Sequence, residues 1–410
     1  MRSYHLESFG AVEGIVLRDR GGPRPEPAGP TGIVVALRAA SLNKRDLLIL
    51  ERRYPLPAAP GVVPLSDGAG EVVAVGEAVT RFAVGDRVSC TYFPRWRGGR
   101  ITPDAVDQPG CTLDGMLAEY ASLDEEWAVR VPDHLTWEEA AILPCAGVTA
   151  WHALTGGEAV GPGRSVLTLG TGPVALFAVQ FAKLLGCRVV ATTSDERKED
   201  RLKALGADAV VNYRRTPHWS RSVRELTDGL GADLVVETGG PDTIEQSVRA
   251  SALYGQIALL TTGTAERPGI EISHAAYASS LAAIRRVFVG SRSRFEDMNR
   301  AVSAHGLRPV IDRVLPFEEA HRAYREYAAG RRLREGRDSG FRGGPAGGLP
   351  PRPVPAGFPH AEAVSWPSSG MLTSQRLSCR GRRYRAQYRV ATAVIPPVHS
   401  KYWVSCCVRM

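Results

Sequence analysis

Two different periodicities divide the chain. Through the first 146 residues the apolar positions fall in short β-branched runs, such as "GIVVALRAA" at 32–40 and "GEVVAV" at 70–75. The stretch "GEAVTRFAVGDRV" then sets turn glycines Gly76 and Gly85 around further short strands. Such runs bounded by glycine predict an all-β unit. From about residue 147 apolar strands alternate with amphipathic helices: "SVLTLG", "RVVATT", "AVVNY", "DLVVETGG" and "QIALLTTG", with "PVALFAVQFAKLLG" and "ERKEDRLKALG" between them. Parallel strands need crossover helices, so this alternation predicts a doubly wound α/β sheet. Residues 294–305 and 317–329 predict two more helices on either side of the strand-like "PVIDRV". After Gly330 no period holds. "GFRGGPAGGLPPRPVPAGFP" is rich in glycine and proline, and residues 331–410 carry nine of each, which predicts a largely disordered tail.

Composition adds two domains' worth of chain and little else: 410 residues, 44% hydrophobic and 23% charged, as in ordinary globular proteins. The amino terminus lacks an apolar core of signal-peptide length and no run approaches a membrane span, so a cytoplasmic protein without a membrane partner is expected. The seven cysteines form neither a disulfide framework nor a zinc ribbon. A net charge of +8 raises the question of nucleic acid. Residues 331–410 hold 14 Lys and Arg against 3 Asp and Glu, whereas the preceding 330 residues hold 37 against 40. The excess belongs to the tail, so no nucleic-acid partner is expected for the body.

The most informative stretch is "VLTLGTGPVALFAVQFAKLLGCRVVATTSDE" at 166–196. Gly170 would make the tight turn after a strand, Gly172 would let backbone approach a pyrophosphate, and Ala175 is small enough for close helix–strand contact. The following helix offers its amino-terminal N–H groups to the phosphates. A plain strand–turn–helix connection is the alternative, and the five alternating strands weigh against it. NAD sites place an acid at the end of the second strand. Here Thr192, Thr193 and Ser194 stand there, with Lys198 further on, which suits the 2′-phosphate of NADPH. Lys198 reads equally as an exposed helix charge. Gly239 and Gly263, at two later strand ends, complete the expected cofactor contacts.

With "ALRAASLNKRDLLI", "PLSDGAGEVVAVGEAVTRFAVGDRV", "LDGMLAEYASL", "LPCAGVTAWHAL" and "KALGADAVVNYRR" in order, roughly residues 1–330 resemble the medium-chain dehydrogenase/reductases. The similarity is to their zinc-independent, quinone-oxidoreductase-like (zeta-crystallin-like) branch. The resemblance implies a GroES-like β-rich catalytic domain at 1–146, completed by 292–332, with a Rossmann NADP-binding domain inserted at 147–291. It implies a homodimer, and roles for Lys198 and Tyr213 in holding the NADPH phosphate. Zinc-dependent relatives bind catalytic zinc through Cys, His and Cys; this chain has Asn43, Ser66 and Cys145 at those positions. The structural zinc lobe of those relatives needs four close cysteines, where only Cys111 remains. No metal is expected. Cys145 reads as a small buried residue before it reads as a reactive thiol.

Without a Lewis acid, an easy hydride acceptor fits best: a quinone or an α,β-unsaturated carbonyl, whose developing oxyanion needs hydrogen-bond donors. Asn43 and Tyr54 sit where relatives place polar cleft residues, although Asn43 also reads as a turn residue and Tyr54 as a surface aromatic. Thr149 is expected to approach the nicotinamide, and Tyr92, Phe93 and Trp96 wall a slot for a planar acceptor or pack a hairpin. A broad NAD(P)-dependent alcohol or aldehyde dehydrogenase and a catalytically impaired NADPH-binding protein are the competing readings.

The tail departs from the family, whose members follow the last helix with a closing strand resembling "FGKVVIR". Here Leu333–Gly340 reads "LREGRDSG". Encoded as CTT CGG GAA GGT CGT GAT TCG GG and read one nucleotide later, those residues become FGKVVIR. A frameshift just before residue 333 is therefore expected, making 333–410 out-of-frame translation.

Overall fold

The computed structural model describes residues 1–19, 21, 25–261, 269–338, 363–365 and 406–409. Its β-rich part opens with the antiparallel pair β1 (Arg2–Leu6) and β2 (Ile15–Asp19). The main sheet takes β3 (Gly32–Ser41), β4 (Asp67–Val75), β5 (Arg87–Cys90), β6 (Tyr120–Asp124) and β7 (Ala128–Arg130). Strand β3 pairs with β4 and β6, β4 with β5, and β5 with β7, all antiparallel. The expected strands around Gly76 and Gly85 reduce to a turn between β4 and β5.

The alternating half builds six strands: β8 (Ser165–Thr168), β9 (Arg188–Thr193), β10 (Ala209–Asn212), β11 (Ala232–Glu237), β12 (Ser251–Leu259) and β13 (Ala283–Arg286). Their order is β10-β9-β8-β11-β12-β13, every neighbour parallel. The chain reverses direction of growth between β8 and β11, the switch point at which doubly wound sheets bind ligands. Strand residues alternate between two cores. Val166, Val189 and Val236 join the larger one, shared with the β-rich part, while Leu167, Val190 and Val235 join a second around Trp219, Ile244 and Val248. Both faces of the sheet are thus covered, as a parallel sheet requires. The edge strand β13 was not among the predicted strands, because "AIRR" ends in two charges and carries no apolar run.

The helix Arg292–His305 returns the chain to the β-rich part, where Asn299 Nδ2 donates to the Arg130 carbonyl at 2.8 Å. Strand β14 (Arg313–Pro316) lies later than "PVIDRV" suggested, and the helix after it runs Ala320–Asp338, past the predicted end. Few residues of the tail are described: that helix covers its first residues, and two short strands, β15 (Ala363–Ser365) and β16 (Cys406–Arg409), pair with β14 and β3. The rest of the tail lies outside the described residues. Among the described residues no helix is long and apolar enough to cross a membrane.

Candidate active site and cofactor cleft

The glycine loop follows β8 at the switch point. Gly170 holds φ +73°, a left-handed conformation that costs an L side chain about 1–2 kcal/mol. Its N–H donates to Thr192 Oγ1 at 3.1 Å, tying the loop to β9. Gly172 is extended and caps the helix Pro173–Leu184, whose proline at the first position loses no hydrogen bond there. Ala175, in the first turn of that helix, is buried. Across the switch point, Thr238 Oγ1 donates to the Leu169 carbonyl at 2.9 Å. The next turn is organised by the buried Glu237, whose carboxylate accepts from Gly239 N (2.6 Å), Gly240 N (2.9 Å), Thr243 Oγ1 (2.6 Å) and Ser247 Oγ. A Cβ on Gly239 would meet Thr243 Oγ1 at 2.3 Å, so the position needs glycine. Gly263 lies outside the described residues.

At the end of β9, Thr193 is buried and its Oγ1 accepts from Asp195 N at 3.2 Å, while Ser194 stays partly exposed. Tyr213 is brought alongside by its own N–H, which donates to the Thr193 carbonyl at 3.0 Å. Lys198 closes the turn onto the Asp195 carbonyl and is only 4% exposed, which overturns its reading as an exposed helix charge. Arg197, which the sequence did not single out, grips Asp195 through Nε (3.0 Å) and Nη2 (2.7 Å). That grip, with the Arg197 main-chain N–H, holds the Asp195 carboxyl below its ordinary range. The loop, the switch point and this turn fit a dinucleotide: Gly170, Gly172 and the helix start would hold the pyrophosphate, and residues 193–198 with Tyr213 the adenosine ribose.

Asn43 follows β3, and its N–H donates to Asp46 Oδ2 at 2.7 Å, starting the helix Lys44–Leu50 as a capping box does. The helix delivers Arg45 inward and Tyr54 just beyond its end. Tyr54 is half-buried; its Oη donates to Gln108 Oε1 at 2.7 Å and lies 2.9 Å from Tyr92 Oη. The buried Arg45 guanidinium sits 5.3 Å from the Tyr54 ring centroid and 5.1 Å from that of Tyr92. Burial raises the pKa values of both phenols, and the Arg45 charge pulls them back. Thr149 is buried, with its hydroxyl donated to the Cys145 carbonyl at 2.6 Å. Tyr92, Phe93 and Trp96 are buried against one another edge to face. The exposed ring of this group is Phe288, which follows β13 and packs on Phe93 at 5.3 Å. Sequence reasoning missed Arg45, Gln108 and Phe288. Only the proximity of Arg45 to Asn43 hinted at any of them.

The positions that hold zinc in relatives form a different arrangement. Ser66 Oγ donates to Asp67 Oδ1 at 2.6 Å, and Cys145 N donates to Asp67 Oδ2 at 3.0 Å. Burial, and then Asp67, push the Cys145 thiol well above its ordinary range. One protonated sulfur, a committed hydroxyl and an amide do not fit a catalytic zinc, which needs three good ligands.

Residues 29–133 match the alcohol dehydrogenase GroES-like domain, and residues 173–304 match the zinc-binding dehydrogenase domain. A zinc-type alcohol dehydrogenase-like protein of Schizosaccharomyces pombe is 41% identical over 73% of this chain and 88% of its own length. A quinone oxidoreductase of Pseudomonas aeruginosa is 31% identical over 79% of this chain and 95% of its own. The crystal structure of a putative alcohol dehydrogenase from Sinorhizobium meliloti superposes with a TM-score of 0.73 at 37% identity, covering 79% of this chain and 94% of that one. The chain belongs to the medium-chain dehydrogenase/reductase superfamily. It is an oxidoreductase that uses a nicotinamide cofactor.

Proposed function

We propose that the protein is an NADPH-dependent, zinc-independent reductase that passes hydride to a quinone or an α,β-unsaturated carbonyl. The observation that carries this reading is the replacement of the zinc donors by the Ser66–Asp67–Cys145 network. Beside that network stand Asn43, whose buried Nδ2 faces Asp67 without completing a hydrogen bond of good geometry, and the hydroxyl of Tyr54. Such donors suit an oxygen that gains charge as hydride arrives at a conjugated carbon, and supply less than an alcohol's deprotonation would need.

The bound cofactor would supply the hydride. The chain's own residues do the rest. Asn43 would donate to the developing oxyanion, Tyr54 would deliver the proton, and Phe288 would offer a ring face to a planar acceptor. Thr193, Ser194, Lys198 and Tyr213 would select the 2′-phosphate. Residues 292–332 belong with 1–146 as one catalytic domain around a cofactor domain at 147–291, a division favoured by the Asn299–Arg130 contact. The working unit would be a cytoplasmic homodimer, on the resemblance to the family.

The test is NADPH oxidation with 1,4-quinones, enones and, in reverse, simple alcohols. Turnover of the first two and little of the third is expected. A preference for alcohols would favour the dehydrogenase reading, and no turnover at all would favour a cofactor-binding protein.

A further inference from the structure

The Arg45 side chain has no obvious structural reason to be where it is. It is buried, yet only Nη1 is satisfied, donating to the Pro109 carbonyl at 2.9 Å with Asp46 Oδ1 at 3.4 Å. Nε and Nη2 complete no hydrogen bond of good geometry among the described residues, with Tyr54 and Cys111 within weak reach of the guanidinium, and the buried Nε2 of Gln108 completes none either. Leaving such donors unsatisfied is costly unless a second state uses them. What surrounds them is the Tyr54–Tyr92–Gln108 chain of hydrogen bonds, with the guanidinium about equally far from both rings.

We propose that Arg45 is a positioning residue that makes the Tyr54–Tyr92 pair an acid, holding the negative charge left when Tyr54 gives up its proton. The proposal rests on the reductase reading for its substrate and on the geometry for everything else. After hydride has reached the acceptor, the Tyr54 O–H bond breaks and an O–H or C–H bond forms on the reduced acceptor. The electron pair of the broken bond stays on Tyr54 as phenolate. Tyr92 then donates its hydroxyl to that oxygen. Gln108, which accepted from neutral Tyr54 through Oε1, can turn its amide over and donate through Nε2. Arg45 never titrates, so a fixed positive charge faces the phenolate in a medium drier than water. Solvent then returns the proton through the exposed side of Tyr54.

The other charged or titratable groups near the pair are Asp46 and Cys111 beside Arg45, Cys145 near both phenols, and Arg286, close enough to interact with Tyr54. Arg286 is spent largely on main-chain carbonyls, including that of Leu259 at 3.2 Å. Arg45 is therefore the cation placed to act on both phenols.

The experiment compares Arg45→Met, Arg45→Lys and Tyr92→Phe with the unaltered protein, after thermal melts confirm folding. Arg45→Met should lower kcat by about 10- to 100-fold with KM for NADPH unchanged, the range expected for weakening a general acid. Its alkaline limb in the pH–kcat profile should move upward, because losing a nearby positive charge raises a phenol's pKa. Arg45→Lys should restore most of the rate. Tyr92→Phe, which keeps the core volume, should slow turnover and enlarge the solvent deuterium isotope effect. Wild-type kcat and isotope effect in Tyr92→Phe, or equal losses in Arg45→Met and Arg45→Lys, would overturn the proposal. A second readout needs no turnover: the ultraviolet absorbance of phenolate during alkaline titration of the unliganded protein, with Tyr54→Phe as the blank. An unshifted Tyr54 signal in Arg45→Met refutes the pair as an Arg45-controlled acid whatever the substrate. A shifted signal without quinone or enone turnover refutes the reductase reading and leaves the pair intact.

Discussion

The carboxylate of Asp67 accepts the main-chain N–H of Cys145 at 3.0 Å, joining the first residue of β4 to the irregular turn Leu143–Gly147. Ser66 Oγ donates to the other oxygen at 2.6 Å. Burial raises the pKa of this carboxyl from its ordinary 3.8 to about 7, against the pull of those hydrogen bonds. The folded chain therefore keeps a proton that the unfolded chain releases above the ordinary carboxyl range. The stability tied to that proton is complete below about pH 4 and is lost as pH rises toward 7, by about 1.4 kcal/mol for each unit between the two values.

The prediction is a pH-dependent difference between wild type and Asp67→Asn, which cannot ionise. Melting temperatures taken at pH 5 and pH 8 should show the variant gaining on the wild type at the higher pH. A difference that stays constant between the two would mean that Asp67 ionises as readily in the folded chain as in the unfolded one.

Cofactor choice is the second prediction. The hydroxyls of Thr193 and Ser194, with Lys198 and Tyr213 behind them, should give NADPH a lower Kd than NADH by fluorescence titration. Lys198→Ala should weaken NADPH by about 10- to 100-fold, the worth of one charge-assisted contact, and leave NADH nearly unchanged. Because Asp195 is already gripped by Arg197, Arg197→Ala frees a carboxylate at the ribose end and should narrow the preference further. Equal affinities in the wild type would sink the phosphate reading.

Metal content is the third. With Asn43, Ser66 and Cys145 in place of a zinc donor set, elemental analysis of purified protein should find no stoichiometric zinc. Chelators should leave both activity and melting temperature where they were. One zinc per chain would show that Cys145 binds as thiolate despite its burial beside Asp67.

How much of this was legible in the sequence follows from which signals are local. The glycine loop, the order of five strands and the residues Asn43, Ser66 and Cys145 are written in short consecutive stretches, and the matching domains cover Asn43, Ser66 and all but the first of those strands. Strand β13 escaped because an edge strand of four residues, half of them arginine, has no apolar period to read. The Tyr54–Tyr92–Gln108 chain escaped for another reason. Its members are 38 and 54 residues apart and meet only because the β-rich part folds their loops together. The position of Lys198 after β9 is readable in the sequence, but its burial depends on how the turn after β9 folds back, which spacing alone does not reveal.

The last prediction concerns the gap between β3 and β14. Val364 of β15 and Val408 of β16 are both registered against Leu315 and Ala40, and Ser365 and Arg409 both against Pro316 and Ala39. One strand can fill that position. A strand supplied directly by the chain from residue 333 onward would do so, and one set of codons for Leu333–Gly340, read one nucleotide later, spells such a strand, FGKVVIR. A protein in which those seven residues replace 333–410 should be more stable, since it pairs the facing backbone groups of β3 and β14 with a strand that brings little loop-closure cost. Melting temperature should rise by at least a few degrees, at roughly 2–4 °C for each kcal/mol gained in a domain of 150–250 residues. Resequencing the gene decides the origin: codons for 333–340 that do not read as that strand one nucleotide later would refute the frameshift. An unchanged melting temperature in the replaced chain would show instead that the tail fills the gap as well as the strand does.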